Sequence, residues 1–108
     1  MTDVGILIRE GVIEAIGPRS GLSLPAGAEE IRAVDKTVVP GFIDIHIHGA
    51  GGRDVMEGSL EALEAVARKV AEYGTTALLA IMVTMGTDDI CWVVIGISQY
   101  ITQQHLAK

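Results

Sequence analysis

From Phe42 onward the apolar periodicity switches repeatedly between two and about 3.6, and this alternation limits the possible architectures more than any other feature of the chain. FIDIHIH, Phe42 to His48, alternates, so Ile43, Ile45 and Ile47 share one strand face while Phe42, Asp44, His46 and His48 share the other. A loop from Gly49 to Gly58 follows. Ser59 then suits a helix N-cap, Glu61 suits the positive end of a helix, and Leu60, Leu63, Val66, Ala67 and Val70 recur at helical spacing. Arg68 and Lys69 fall in its final turns, with Gly74 just past its end. TTALLAIMVT, Thr75 to Thr84, is almost unbroken apolar sequence, the pattern of a parallel strand covered on both faces. Thr87 with Asp88 and Asp89 opens a second helix, whose inner stripe is Ile90, Val93, Val94, Ile97 and Ile101.

Strand, helix, strand, helix implies parallel pairing through right-handed crossovers, an α/β arrangement. Gly41 to Lys108 holds two such units of about 34 residues; eight would take roughly 270, near the size of a (β/α)8 barrel at about 250. The chain therefore carries about a quarter of one. Two parallel strands cannot cover both faces of their own sheet or close its edges. Trp92, Ile95 and Leu106 project away from the inner stripe of the second helix, which leaves bulky apolar groups to meet missing chain, a second subunit or nothing. A homo-oligomer is the expectation.

Ahead of these units, Val4–Arg9 and Val12–Ile16 are short β-type runs flanking Glu10-Gly11, which suits a tight hairpin turn. GPRSGLSLPAGAEE reads as a loop, and Ile31–Val39 as another short run interrupted by a turn at Asp35-Lys36. Pro40-Gly41 marks a boundary, which gives an N-terminal β-domain over 1–40 and the strand-helix units over 41–108. Asp and Glu outnumber Lys and Arg 14 to 8, for a net charge of −6, with no basic cluster to track phosphates, so nucleic acid is excluded as a partner. The longest apolar stretches, such as Ala77 to Val83, fall far short of the roughly 18 residues of a membrane span, so no membrane is expected. One cysteine, Cys91, makes no internal disulfide and no secretory signal precedes it, so the default compartment is the cytoplasm.

The chemistry concentrates at the end of the first of these strands. Residues two apart on a strand lie about 6.6 to 6.8 Å apart and point the same way, so His46 and His48 can lean together until each nitrogen sits about 2.0 to 2.1 Å from one divalent ion. Strand C-termini carry the active sites of such barrels, and this pair ends its strand. Zinc takes three protein ligands plus water when catalytic and four when structural, so two histidines make only part of a site; as a plain structural pair they would instead be hydrogen-bonded. Asp44 shares their face and suits orienting an imidazole through its second nitrogen, or pairing with an unseen cation. The glycines of GAGGRDVMEG suit close approach to main-chain N–H groups or simple turns. His105, near the end of the second helix, reads as structural and Cys91 as a buried or half-buried thiol. Met56, Met82 and Met85 read as packing residues. Arg53 reads as a solvated loop arginine, with an anionic substrate as its other possible partner, and Thr84 has a hydroxyl to present at the mouth of the second strand.

PGFIDIHIHG, followed by AGGRDVMEG, a helix and GTTALLAIMVT, resembles the amidohydrolase superfamily, and within it the N-acetylglucosamine-6-phosphate deacetylases. The HxH at the strand end is shared widely in the superfamily, while the continuation HGxGGxDxM and the GTT before the next strand narrow it. GILIREGVIEAIGP and VVPG resemble the small β-domain that precedes the barrel. The resemblance implies the first two strand-helix units of a metal-dependent (β/α)8 TIM barrel preceded by part of a small β-sandwich. It implies a hydrolase that converts N-acetylglucosamine-6-phosphate to glucosamine-6-phosphate and acetate, with a divalent metal ion, zinc by preference, and an amino-sugar phosphate as substrate. His46 and His48 match the family's first metal-binding pair; its glutamate, two further histidines and late aspartate proton shuttle come from strands that this chain lacks. No catalytic residue is therefore assigned, and the chain alone is expected to be inactive. The second strand also departs from the family's more polar pattern at Ala77, Ala80 and Met82, and the β-domain lacks its first strand or strands, as a fragment would. Two alternatives stand beside this: another amidohydrolase, dihydroorotase-like or dipeptidase-like, or a degenerate, non-catalytic fragment that oligomerises.

Overall fold

A computed structural model of the chain describes residues 3–106, with side-chain surroundings described as far as Gln104. It is a mixed α/β structure whose backbone divides into two compact units between Thr37 and Val38. In the first, β1 (Val4–Arg9) pairs antiparallel with β2 (Val12–Pro18). The connecting residues Glu10 and Gly11 both take positive φ, 51° and 76°, the combination that a type I′ turn needs to match the twist of its strands. The expected hairpin is present, with one register shift between Leu7 and Ile8. A single 3₁₀ turn, Arg19–Gly21, follows. The run from Ile31 to Val39 forms no strand, contrary to its apolar content. Asp35 sits at φ 57° in a turn closed by the Lys36 amide on the Ala33 carbonyl, and Ile31, Val34, Val38 and Val39 stay exposed. A β-prone segment becomes a strand only where a partner ladder accepts its hydrogen bonds, and none is offered here.

The second unit is built on a parallel pair, β3 (Phe42–Ile47) and β6 (Thr75–Ala80), as the strand-helix alternation requires. Between them the chain makes a two-residue hairpin, β4 (Gly49–Ala50) with β5 (Arg53–Asp54), turning on Gly51 and Gly52 at φ 62° and 77°. A 3₁₀ turn, Val55–Glu57, and helix α1 (Leu60–Ala71) follow. The segment expected as a glycine-rich loop is therefore ordered structure. Its 3₁₀ turn is held by a capping box: the Asp54 carboxylate accepts the Met56 amide at 2.7 Å, and Glu57 accepts the Asp54 amide at 2.9 Å. Helix α1 starts where expected, with the Ser59 hydroxyl accepting the Ala62 amide at 3.2 Å.

β6 ends at Ala80, four residues before the end of its apolar run, and Ala77 and Leu79 are exposed rather than covered. Helix α2 (Thr87–Leu106) packs its Val93, Gly96, Ile97 and Tyr100 inward. Val94 and Ile101, assigned to the inner stripe from their spacing, are about half exposed, and Gly96 and Tyr100 replace them. The reason is a close approach. A Cβ on Gly96 would overlap the Gly58 carbonyl oxygen, so the bare glycine lets α2 lie against the backbone of the 3₁₀ turn, and this sets which face turns inward. Trp92, 62% exposed, caps the same contact by donating its indole N–H to the Glu57 carbonyl at 3.3 Å. The buried core is small: Val55, Ala62, Leu63, Val66 and Val93.

Two outcomes follow for α2. Alanine exceeds glycine in helix propensity by about 1 kcal/mol, so Gly96→Ala would stabilise a free helix; here it should instead lower the urea midpoint, because the added methyl separates α2 from Gly58. The second concerns Tyr100, whose hydroxyl donates to Glu64 at 2.8 Å. Burial, then the bond to Glu64, raises its phenol above the ordinary 10.0. A raised acid binds its proton more tightly when folded, so this contribution is complete below about pH 10 and is lost as pH climbs through the folded value. Tyr100→Phe should cost about 0.5–1.5 kcal/mol at neutral pH and flatten the alkaline limb of a stability-against-pH curve measured by denaturant melts.

Candidate metal centre

His46 and His48 lie at the C-terminal end of β3, and their Nε2 atoms approach to 3.1 Å. The rings stand 5.0 Å apart between centroids at 77° to one another, so they meet through their nitrogen edges and not by stacking. The alternation expected of the strand thus brings both imidazoles to one side. His46 is exposed and His48 half-buried.

Each histidine is held differently. The carboxylate of Asp44 accepts the main-chain amide of His46 at 3.0 Å; it bonds no imidazole nitrogen among the described residues, so the orienting role expected of Asp44 goes elsewhere. His48 is gripped twice. Its carbonyl accepts the Val55 amide at 2.7 Å, and its ring Nδ1 lies 3.0 Å from the main-chain oxygen of Ile81. Val55 is fully buried, so the hairpin that returns the chain to β3 is pinned beneath His48. Ile81, one residue past β6, extends the ladder by donating its own amide to Ile47 at 2.9 Å. The Val83 amide then donates to Met56 Sδ at 3.4 Å. Sequence reasoning missed Ile81 because its contribution is a backbone oxygen, which leaves no trace in residue type.

The other candidates separate from the pair. Arg53 is half-buried, and its guanidinium bridges Glu57 at 3.0 Å and Glu61 at 3.2 Å, which ties β5 to the first turn of α1. Thr84 lies beyond the end of β6, exposed. Met56 and Met82 pack against the core as expected, whereas Met85 is about half exposed. Cys91 is an exposed free thiol, not a buried one, because the inward register of α2 turns it to solvent. The side chain of His105, and that of Leu106, lie outside the described residues.

The pair suits a divalent ion in several respects. Two nitrogens 3.1 Å apart, each about 2.0–2.1 Å from a common ion, subtend an angle of roughly 95–102°, between the octahedral and tetrahedral ideals. Imidazole nitrogen is a ligand that zinc accepts readily, and the Ile81 carbonyl supplies the outer hydrogen bond that metal-bound histidines usually carry. No group of three or more histidine, cysteine, aspartate or glutamate side chains gathers around an ion-sized point among the described residues. The chain itself brings two imidazole nitrogens together.

Comparison with known proteins bears on what such a half-site belongs to. No protein-family model matches the chain. Over 58 residues, 53% of its length, it is 43% identical to the N-acetylglucosamine-6-phosphate deacetylase of Bacillus subtilis (strain 168). The chain is similar to sugar-phosphate deacetylases. Over 78 residues, 68% of its length, it is 36% identical to the enzyme of the same name from Vibrio furnissii. A shorter segment of 43 residues, 40% of the chain, is 46% identical to a dihydroorotase of Trichlorobacter lovleyi (strain ATCC BAA-1151 / DSM 17278 / SZ). These matches span 15%, 18% and 10% of the respective relatives, so the chain corresponds to less than a fifth of each.

The capping box tests how the hairpin supports the pair. Asp54→Ala removes the acceptor of the Met56 amide and should cost about 1 kcal/mol. Hydrogen exchange at the Val55 amide, which bonds His48, should accelerate more than exchange within α1; equal acceleration in both would mean that the box stabilises the unit as a whole and not the hairpin.

Proposed function

We propose that this chain contributes the HxH half of a divalent-metal centre in a hydrolase of the N-acetylglucosamine-6-phosphate deacetylase type. The observation that carries the proposal is the convergence of the His46 and His48 Nε2 atoms at 3.1 Å at a strand C-terminus. The similarity to deacetylases over more than half of the chain supports the substrate class, an N-acetylated amino-sugar phosphate. On this reading 41–108 forms the first two strand-helix units of a (β/α)8 barrel, 1–40 forms part of a preceding β-sandwich, and the protein works in the cytoplasm.

The divalent ion, zinc by preference, would supply the acidity that activates water near neutral pH and the charge that polarises an amide carbonyl. His46 and His48 would hold it, with His48 aimed by the Ile81 carbonyl and by the Val55 amide behind it. Cleavage of the acetamide releases acetate and a free amine, and needs a group that moves a proton between water and the leaving nitrogen. Among the described residues no side chain stands beside the pair in that role: Asp44 is engaged with the His46 amide. On this reading the 108-residue chain would bind metal without turning over substrate by itself. The exposed Trp92 and Ile95 support self-association of the chain, which light scattering tests directly.

Equilibrium dialysis against zinc should give stoichiometric uptake, lost in His46→Ala and in His48→Ala, while an acetate-release assay on N-acetylglucosamine-6-phosphate stays at background. Zinc uptake that survives both substitutions together would sink the assignment of the ligands. A dihydroorotase-type amidohydrolase is the second reading, favoured by the 46% identity of the shorter segment. Calorimetric titration of the zinc-loaded chain with each of the two substrates in turn separates the two.

A further inference from the structure

The hydrogen bonds of the histidine pair dictate where its protons reside. A carbonyl oxygen only accepts, so the 3.0 Å contact between His48 Nδ1 and the Ile81 oxygen puts the proton on Nδ1. In a neutral imidazole that leaves His48 Nε2 bare, and the 3.1 Å contact between the two Nε2 atoms then needs a proton that His46 alone can supply. With a cation between the nitrogens the requirement changes at one ring only: neither Nε2 carries a proton, which His48 already satisfies and His46 does not.

We infer that the main-chain carbonyl of Ile81 is a positioning group that locks His48 as the Nδ1–H tautomer, so that His48 is the pre-set ligand and His46 the one that must change tautomer when a divalent cation enters. This rests on reading the pair as metal ligands. The exchange is balanced: the Nε2 proton of His46 passes to water, Nδ1 takes one from water, and the ring's charge does not change.

The two rings are framed accordingly. Ile81 is fixed from both sides of its peptide, its amide on Ile47 at 2.9 Å and its oxygen on His48, and Val83 is anchored two residues on by Met56 Sδ. His48 is also held through its carbonyl by the amide of buried Val55. The His46 ring is held only by its contact with His48 among the described residues, its main-chain amide donates to Asp44, and the residue is exposed, so water can reach its Nδ1. One ligand is rigid and prepared while its neighbour is free to rearrange, an order that lets an ion be captured first by His48.

The test is two-bond ¹H–¹⁵N correlation on the full 108-residue chain labelled at histidine nitrogens, stripped with a chelator and held at alkaline pH, then repeated after one equivalent of zinc. His48 should show Nδ1–H in both spectra, and His46 should change from Nε2–H to Nδ1–H on zinc addition. A stripped chain in which His48 carries its proton on Nε2, or averages between tautomers, would overturn the inference. Replacing the Ile81–Met82 amide by an ester, through ligation at Cys91, weakens the Ile81 oxygen as an acceptor without touching either ring. Zinc affinity should then fall about 10- to 100-fold; unchanged affinity with an unchanged circular dichroism spectrum would also overturn it. If the ester chain does not fold, the spectra of the natural chain decide. A chain that shows the expected split of tautomers yet takes up no zinc supports the Ile81 lock and overturns the metal reading instead.

Discussion

The parallel ladder between β3 and β6 is the interaction on which the second unit depends. Parallel strands cannot be joined by a tight turn, so the chain must leave the end of β3, cross back over the sheet and re-enter at Thr75, and α1 makes that crossing. The ladder runs one residue past β6, where Ile81 donates to Ile47, and that extra bond brings the Ile81 oxygen to His48. Strand pairing and site geometry are therefore one constraint. A slip of a single residue would move the carbonyl away from the ring and reverse the faces of the side chains on β6.

Packing beyond that ladder is economical. Val55, at the junction of the miniature hairpin and the 3₁₀ turn, is fully buried and joins Leu63 of α1 and Val93 of α2 in one cluster. The approach of Gly96 to Gly58 lets α2 lie over this junction, and the Tyr100 to Glu64 bond ties α2 to α1. Exposed ion pairs such as Arg68 to Glu64 and Lys69 to Glu72 decorate α1 and each contributes little in high dielectric. The core that holds the histidines is thus a few aliphatic side chains, one close backbone approach and one side-chain hydrogen bond. Large apolar groups remain outside it: Ile43 and Ile45 on β3 are 70% and 74% exposed, on the strand that carries the histidines. The same strand presents polar chemistry at its end and uncovered hydrocarbon along its length.

Much of this was legible in the residues. The hairpin at Glu10-Gly11, the cap at Ser59, the start of α2 at Thr87 and the convergence of His46 with His48 all follow from local rules, because turn chemistry, capping and strand alternation act over a few neighbouring positions. The failures have two causes. Ile31–Val39 had strand-like composition without a partner, and the register of α2 shifted once Gly96 could touch Gly58, so both turn on chain distant in sequence. The hairpin of Gly49–Ala50 with Arg53–Asp54 is local, but with two residues per strand it is too short to show alternation against its glycines.

The sequence alone determined that the two imidazoles share a side, since period-two alternation is a property of any strand, and that a helix must follow, since its apolar spacing and cap are local. Only the tertiary structure decided how His48 is oriented, which carboxylate Arg53 meets and which face of α2 turns inward. Those depend on a carbonyl brought near by the crossover, on two glutamates of the adjoining turn and helix, and on a glycine of α2 that meets Gly58, and a backbone oxygen or an absent side chain has no signature until the fold places it.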